Sequence, residues 1–132
     1  MKQMKRVILL ILAVVMMLSG CASATSSPSA SYTQITQEEA KEMMKKDDGH
    51  IIIDVRRQDE YDEGHIPGAV LIPNESITDK QPEELPELDQ IILVYCRSGR
   101  RSKEASQKLA DIGYTHVYEF GGINTWTGEI VK

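Results

Sequence analysis

The residues best equipped for chemistry stand together at the end of one apolar run. Ile91-Ile92-Leu93-Val94-Tyr95 leads into Cys96, and Arg97-Ser98-Gly99-Arg100-Arg101-Ser102 follows. Open α/β sheets bind their ligands at the carboxyl ends of strands, which is where this cysteine falls. A loop that turns from a strand into a helix gathers backbone N–H groups about one point and adds the positive end of the helix dipole. Both effects favour a thiolate, the nucleophilic form of cysteine. Ser98 and Gly99 are small enough for the loop to curl tightly around the sulfur. Arg97, Arg100 and Arg101 add positive charge, although cations oppose the dipole at a helix start. The competing reading is a strand-end cysteine buried as a small hydrophobe. Three arginines within five residues argue against it.

The surrounding charge narrows the substrate. The chain has 132 residues with 15 basic and 20 acidic side chains, a net charge of −5. Three of the basic residues, Lys2, Lys5 and Arg6, lie in the first 20 positions, and without that segment the net charge is −8. Residues 97–108 nevertheless hold five basic residues against one acid. A chain so acidic overall is unsuited to nucleic acid or an anionic membrane face. A small anion is the partner that a local basic loop can hold. The length is that of one domain, and no internal repeat is present.

The first 20 residues read as an address. The basic start is followed by twelve apolar residues, VILLILAVVMML at positions 7–18. That is short of the ~20 needed to span a bilayer and fits the apolar core of a secretory signal. Leu18-Ser19-Gly20-Cys21 resembles the bacterial lipobox, in which the cysteine receives a diacylglyceryl group and becomes the first mature residue. That resemblance implies an exported, acylated chain held at the cell membrane and facing outward. The alternative is an ordinary signal cut after Ala22 or Ala24. Residues 22–31 are small and polar, a tether without the means to form a core. The folded domain is then residues 32–132. With Cys21 lipidated, Cys96 has no disulfide partner, and an unpaired thiol in an exported chain is a reactive-group candidate.

Within the domain, strand and helix patterns alternate. Ile51-Ile52-Ile53, followed by Asp54-Val55, and residues 91–95 are unbroken rather than alternating runs, suited to strands buried on both faces. Weaker strand candidates are residues 33–35, 70–72 and 116–118. Thr36 and Glu39 form a capping-box pair ahead of a helix carrying Ala40, Met43 and Met44 on one face. A short acidic helix over 59–63 stops at Gly64. Residues 102–112 place Ala105, Leu109 and Ile112 on one face and end at Gly113. Residues 122–127, with the lone Trp126, read as a further helical segment. The proline- and acid-rich stretch 73–90 reads as a surface loop with one helical turn. The pattern is that of an α/β domain.

Taken together, these residues resemble the rhodanese-like sulfurtransferases. The resemblance covers nearly all of residues 32–132. It rests on Ile53-Asp54-Val55-Arg56, Glu60-Tyr61, Gly64-His65-Ile66-Pro67-Gly68-Ala69, the loop from Cys96 to Ser102, and Gly121-Gly122-Ile123 with Trp126. It implies a single domain with a five-stranded parallel sheet and helices on both faces. It implies that Cys96 takes a sulfane sulfur from thiosulfate or a persulfide donor. The resulting persulfide passes it to cyanide or a thiol. Arg97, Ser98, Gly99, Arg100, Arg101 and Ser102 would form the substrate cradle, and Asp54 and Arg56 would pair near its floor. No metal or organic cofactor is implied, and a monomer is expected. His65 belongs to a turn rather than to a base, His50 and His116 lack metal-site partners, and the glycines of GGINTW permit close packing.

Two other classes compete. Phosphatases and arsenate reductases also set a cysteine in an anion-cradling loop, with an arginine at the sixth position after it. Here that position is Ser102, and the arginine falls one earlier, at Arg101. No acid lies between 97 and 103 to protonate a leaving alkoxide. A non-catalytic rhodanese-like binding module would lack the cysteine.

Overall fold

The structure, a computed structural model, describes residues 30–132. The basic start, the apolar run, Cys21 and most of the tether lie outside the described residues. Among the described residues no helix is long and apolar enough to cross a membrane.

Five strands form one sheet: β1 (Thr33–Gln34), β2 (Ile51–Asp54), β3 (Val70–Leu71), β4 (Ile91–Cys96) and β5 (His116–Gly122). Their order is β1-β5-β4-β2-β3, and every pairing is parallel. The helices are α1 (Gln37–Met44), α2 (Gln58–Glu63) and α3 (Arg100–Ile112). Successive strand residues point to opposite faces, so a strand covered on both sides needs apolar residues at every position. One face of β2 and β4 sends Ile53, Val94 and Cys96 against Ala105 and Leu109 of α3. The other sends Ile52, Leu93 and Tyr95 toward Ala40, Met43 and Met44 of α1 and Tyr61 of α2. The α/β class is the one the strand and helix pattern predicts, and the five-stranded parallel sheet with helices on both faces is the one the family resemblance implies.

The ends of the elements show what the local pattern conceals. Thr36 and Glu39 do form a reciprocal capping box on α1. Helix α3 starts two residues earlier than expected, with Gly99 as its N-cap at φ 112°. A left-handed glycine lets the chain reverse into the helix at once, which shortens the loop after Cys96. Residues 122–127 are not a regular helix: Gly122 closes β5, and only Ile123–Thr125 make a 3₁₀ turn. In the stretch 73–90 the single helical turn is Asn74–Ser76. Ile77 and Leu85 from that stretch are buried in the α3-side core, and the Tyr114 hydroxyl donates to the Leu85 carbonyl. Isolated apolar residues in a polar run carry no period to read.

One close approach fixes the Cys96 loop to β5. A Cβ on Gly122 would stand 2.0 Å from the Arg97 carbonyl oxygen and 2.6 Å from the Ser98 nitrogen. The Asn124 N–H donates to the same carbonyl at 3.1 Å. Gly122→Ala must therefore displace the loop backbone, because neither partner is a flexible side chain. Overpacking of this kind typically costs about 1–3 kcal/mol. Denaturant unfolding should register that loss, and alkylation of Cys96 in the still-folded variant should change rate. A variant with wild-type stability and wild-type Cys96 reactivity would show that the loop is not held here.

Candidate active site

Strand β4 delivers Cys96 to the carboxyl edge of the sheet, where its pairing with β5 shifts register between Val94 and Cys96. Bulges of this kind re-aim a side chain. The cysteine is unpaired and 1% exposed. The Gly99 N–H donates to its sulfur at 3.0 Å. The Ser102 hydroxyl oxygen lies 3.4 Å from the sulfur. A backbone N–H that donates to the sulfur and a hydroxyl oxygen that accepts from the thiol, not a cationic side chain, are its hydrogen-bond partners.

The three arginines separate into different roles. Arg101 forms a two-pronged pair with Glu60 of α2, at 2.7 and 2.9 Å. That pair is only partly exposed, and its hydrogen bonds hold the Glu60 carboxyl at about 2, against the upward push of burial. The Arg101 guanidinium stands above its ordinary value, chiefly through Glu60, with the Cys96 sulfur contributing. Arg100 pairs with Glu104 one helical turn on, at 2.9 Å and largely in solvent. Arg97 is exposed and enters no ion pair among the described residues. It lines a cleft of about 250 Å³ with Arg56, Glu60, Glu63, Ile123 and Asn124. Ser98 is exposed, whereas Gly99 and Ser102 are buried. The expected cradle is thus assembled in one place, but Arg101 faces a protein carboxylate. A larger, mostly apolar cavity of about 560 Å³, lined by Met44, Ile51, Ile66 and Trp126, includes none of the loop residues.

Asp54 and Arg56 pair as the sequence suggests. The Arg56 guanidinium contacts both Asp54 oxygens at 2.7–3.1 Å and donates to the Gly64 carbonyl at 2.7 Å. Burial pulls this guanidinium down and Asp54 more than compensates, so it stands above its ordinary value. The Tyr95 hydroxyl donates to Asp54 at 2.8 Å and accepts the Ile66 N–H at 3.1 Å. Burial first, and the Asp54 charge second, push the phenol well above its ordinary range, so it stays a donor. The network joins β2, β4 and the turn at 64–66 beneath the cleft. His65 stacks on Tyr61 with ring centroids 3.8 Å apart and bridges backbone-to-backbone to Val131. His50 contacts Asp48, and His116 contacts Thr115, both away from the loop.

One residue at the site escaped the sequence reading. Glu119 of β5 is 2% exposed, and its carboxylate lies 2.6 Å from the Ser102 hydroxyl. It also accepts the Gly121 N–H at 2.7 Å and the Gln34 amide at 3.3 Å. The available signal was a lone acid between Val117 and Phe120 in a strand otherwise fit for burial.

The comparisons with known proteins agree with this geometry. Residues 36–129 match the rhodanese-like domain family. The thiosulfate sulfurtransferase GlpE of Coxiella burnetii is 38% identical over 96 residues, which is 72% of this chain and 87% of that protein. The thiosulfate sulfurtransferase PspE of Escherichia coli is 37% identical over 71 residues, 54% of this chain and 68% of that one. A putative sulfur carrier protein of Bacillus subtilis, YrkF, is 36% identical over 80% of this chain, but the chain spans only 56% of that relative's length. Among solved structures, an E. coli rhodanese with anions superposes at TM-score 0.58 with 34% identity, covering 63% of this chain and 98% of that one. With its parallel sheet, its Cys96 loop and 94 residues under one family pattern, this chain belongs to the rhodanese-like domain family.

Proposed function

We propose that the protein is a sulfurtransferase that moves a sulfane sulfur through a persulfide on Cys96, with thiosulfate or a persulfide as donor and cyanide or a thiol as acceptor. The observation that carries this reading is the Cys96 sulfur held at the start of α3 with the Gly99 N–H 3.0 Å away. The Cys96 thiolate attacks the outer sulfur of thiosulfate. The donor's S–S bond breaks, and sulfite leaves with the electron pair. The acceptor then attacks the outer sulfur of the persulfide and returns Cys96 as thiolate. Loop N–H groups hold the anion at each stage, as an oxyanion hole does. The names of the PspE and GlpE relatives support thiosulfate as the donor.

The arginines divide the remaining work. Arg97, exposed and lining the cleft, is the group we assign to the sulfonate oxygens of the donor. Arg100 adds charge at the rim. Arg101 holds α2 against the loop through Glu60. Cys96→Ser should abolish thiocyanate formation from thiosulfate and cyanide while leaving the fold intact. Arg97→Ala should act mainly on KM, because loss of a charge-assisted contact is worth about 1.5–3 kcal/mol, roughly ten- to hundredfold. Wild-type protein should hydrolyse aryl phosphates negligibly. Near-normal thiocyanate formation by Cys96→Ser, or faster aryl phosphate hydrolysis than sulfur transfer by the wild type, would overturn the assignment.

The Glu60–Arg101 pair adds a pH signature. The Glu60 carboxyl is lowered from 4.5 to about 2 in the folded protein. A depressed acid contributes stability that is full above its unfolded value and lost as pH falls through the folded one. The melting temperature should therefore fall between pH 4.5 and about 2. Glu60→Gln should flatten that part of the curve and lower the plateau near neutrality. An unchanged acid limb in Glu60→Gln would remove the pair from any such role.

For localisation, the sequence supports export and acylation at Cys21. A single acyl chain binds membranes only marginally, whereas two or more hold stably. The mature chain should begin at Cys21, carry a diacylglyceryl mass and partition into detergent, and Cys21→Ser should be released or left unprocessed. A mature N-terminus at Ser23 or Thr25 without lipid mass would refute it.

A further inference from the structure

The hydrogen bonds around Ser102 do not balance with one proton. Its hydroxyl oxygen lies 2.6 Å from Glu119 Oε1, 2.9 Å from the Gly99 carbonyl, 3.4 Å from the Gly121 carbonyl and 3.4 Å from the Cys96 sulfur. A serine hydroxyl has one hydrogen to give. Cys96, Ser102 and Glu119 are each at most 2% exposed, so water cannot make up the difference. If Cys96 and Glu119 were both ionised, two buried anions would flank one oxygen, and Ser102 could satisfy only one of them. No cationic side chain hydrogen-bonds to either group, although the Arg101 charge acts on the Cys96 sulfur through space. Arg101 of α3 is paired with Glu60 of α2, Arg97 is exposed, and β1 offers only the neutral Gln34 amide.

We propose that Cys96 and Glu119 share one proton through the Ser102 hydroxyl, and that Glu119 is the internal acceptor of the thiol proton. The inference rests on Cys96 being the nucleophile. In one form the thiol donates to Ser102 and Ser102 donates to the Glu119 carboxylate. In the other, two protons have each moved one step: Glu119 is protonated and donates to Ser102, and Ser102 donates to the thiolate. One negative charge and one mobile proton are present in both, so no outside base is needed. Glu119 acts through Ser102 and is a positioning residue rather than a catalytic one.

The test follows the rate of Cys96 alkylation by iodoacetamide against pH, which needs no sulfur donor and so stands apart from the donor assignment. Coupled groups ionise in two steps that belong to the pair. Wild type should show two rises separated by a plateau. Glu119→Gln and Ser102→Ala should show a single rise, that of Glu119→Gln lying between the two wild-type steps. Ser102→Thr, which keeps the hydroxyl, should restore both. A single rise in wild type, or two rises surviving in Glu119→Gln, would overturn the proposal. Infrared difference spectra of the wild type provide a measurement that no misfolded variant can spoil. Alkylation removes the thiolate that the Ser102 hydroxyl faces, so at a plateau pH the Glu119 carboxyl either loses its proton to solvent or changes its hydrogen bonding, and its protonated C=O band should disappear or shift. No change of that band would equally reject the shared proton.

Discussion

The structure turns on one contact, the hydrogen bond from the Gly99 N–H to the Cys96 sulfur at 3.0 Å. It requires a strand to end and a helix to begin within four residues. Gly99 makes that possible by taking φ 112° at the helix N-cap. Gly122 makes it stable by letting the Arg97 carbonyl lie against the end of β5 with no Cβ between them. The sheet order places β5 beside β4, so the clamp is part of the core ladder rather than a surface loop. A charge held by fixed backbone dipoles needs little reorganisation when sulfur is gained or lost.

The buried polar groups around the loop are scaffold built to the same end. Asp54, Arg56 and Tyr95 satisfy one another and tie in the Gly64 carbonyl and the Ile66 N–H. A buried ion pair contributes little net stability, but removing one partner strands a charge. Its value here is positional: it joins the turn at 64–66 to the two central strands below the cleft. Arg101 and Glu60 do the same for α2 and α3.

Much of this was legible in the sequence. The runs Ile51–Ile53 and 91–95 declared buried parallel strands because their apolar residues are consecutive rather than alternating. Cys96 and its glycine-containing loop declared the site because strand, cysteine and helix start were contiguous. The pairing of Asp54 with Arg56 was implied by the family resemblance, and the structure shows it. The division of labour among the arginines was not legible, because Arg101 meets Glu60 across 41 positions of chain. Glu119 was hidden for the same reason: its partner Ser102 is 17 residues away. Ile77 and Leu85 were missed because burial there is imposed by α3 and Tyr114, not by a local period. Pattern reading succeeds where neighbours in sequence share a role and fails where a role is created by the fold.

On the proposed sulfur transfer, charge balance favours positive charge at the rim rather than against the sulfur. Thiosulfate carries two negative charges, and both depart with sulfite, while the transferred sulfur takes over the single charge already on Cys96. A cation pressed against the sulfur would stabilise the thiolate and the persulfide alike and do nothing for the leaving group. A cation at the mouth meets the oxygens that arrive with the donor and leave with sulfite. The exposed Arg97 beside the cleft fits that second position, and the inner shell of Gly99 and Ser102 fits the first without formal charge. On the proposed chemistry the basic excess over 97–108 divides by partner: Arg101 and Lys108 are taken up by Glu60 and Asn74. Arg97 is left facing the cleft, where a dianionic donor would arrive and sulfite would leave.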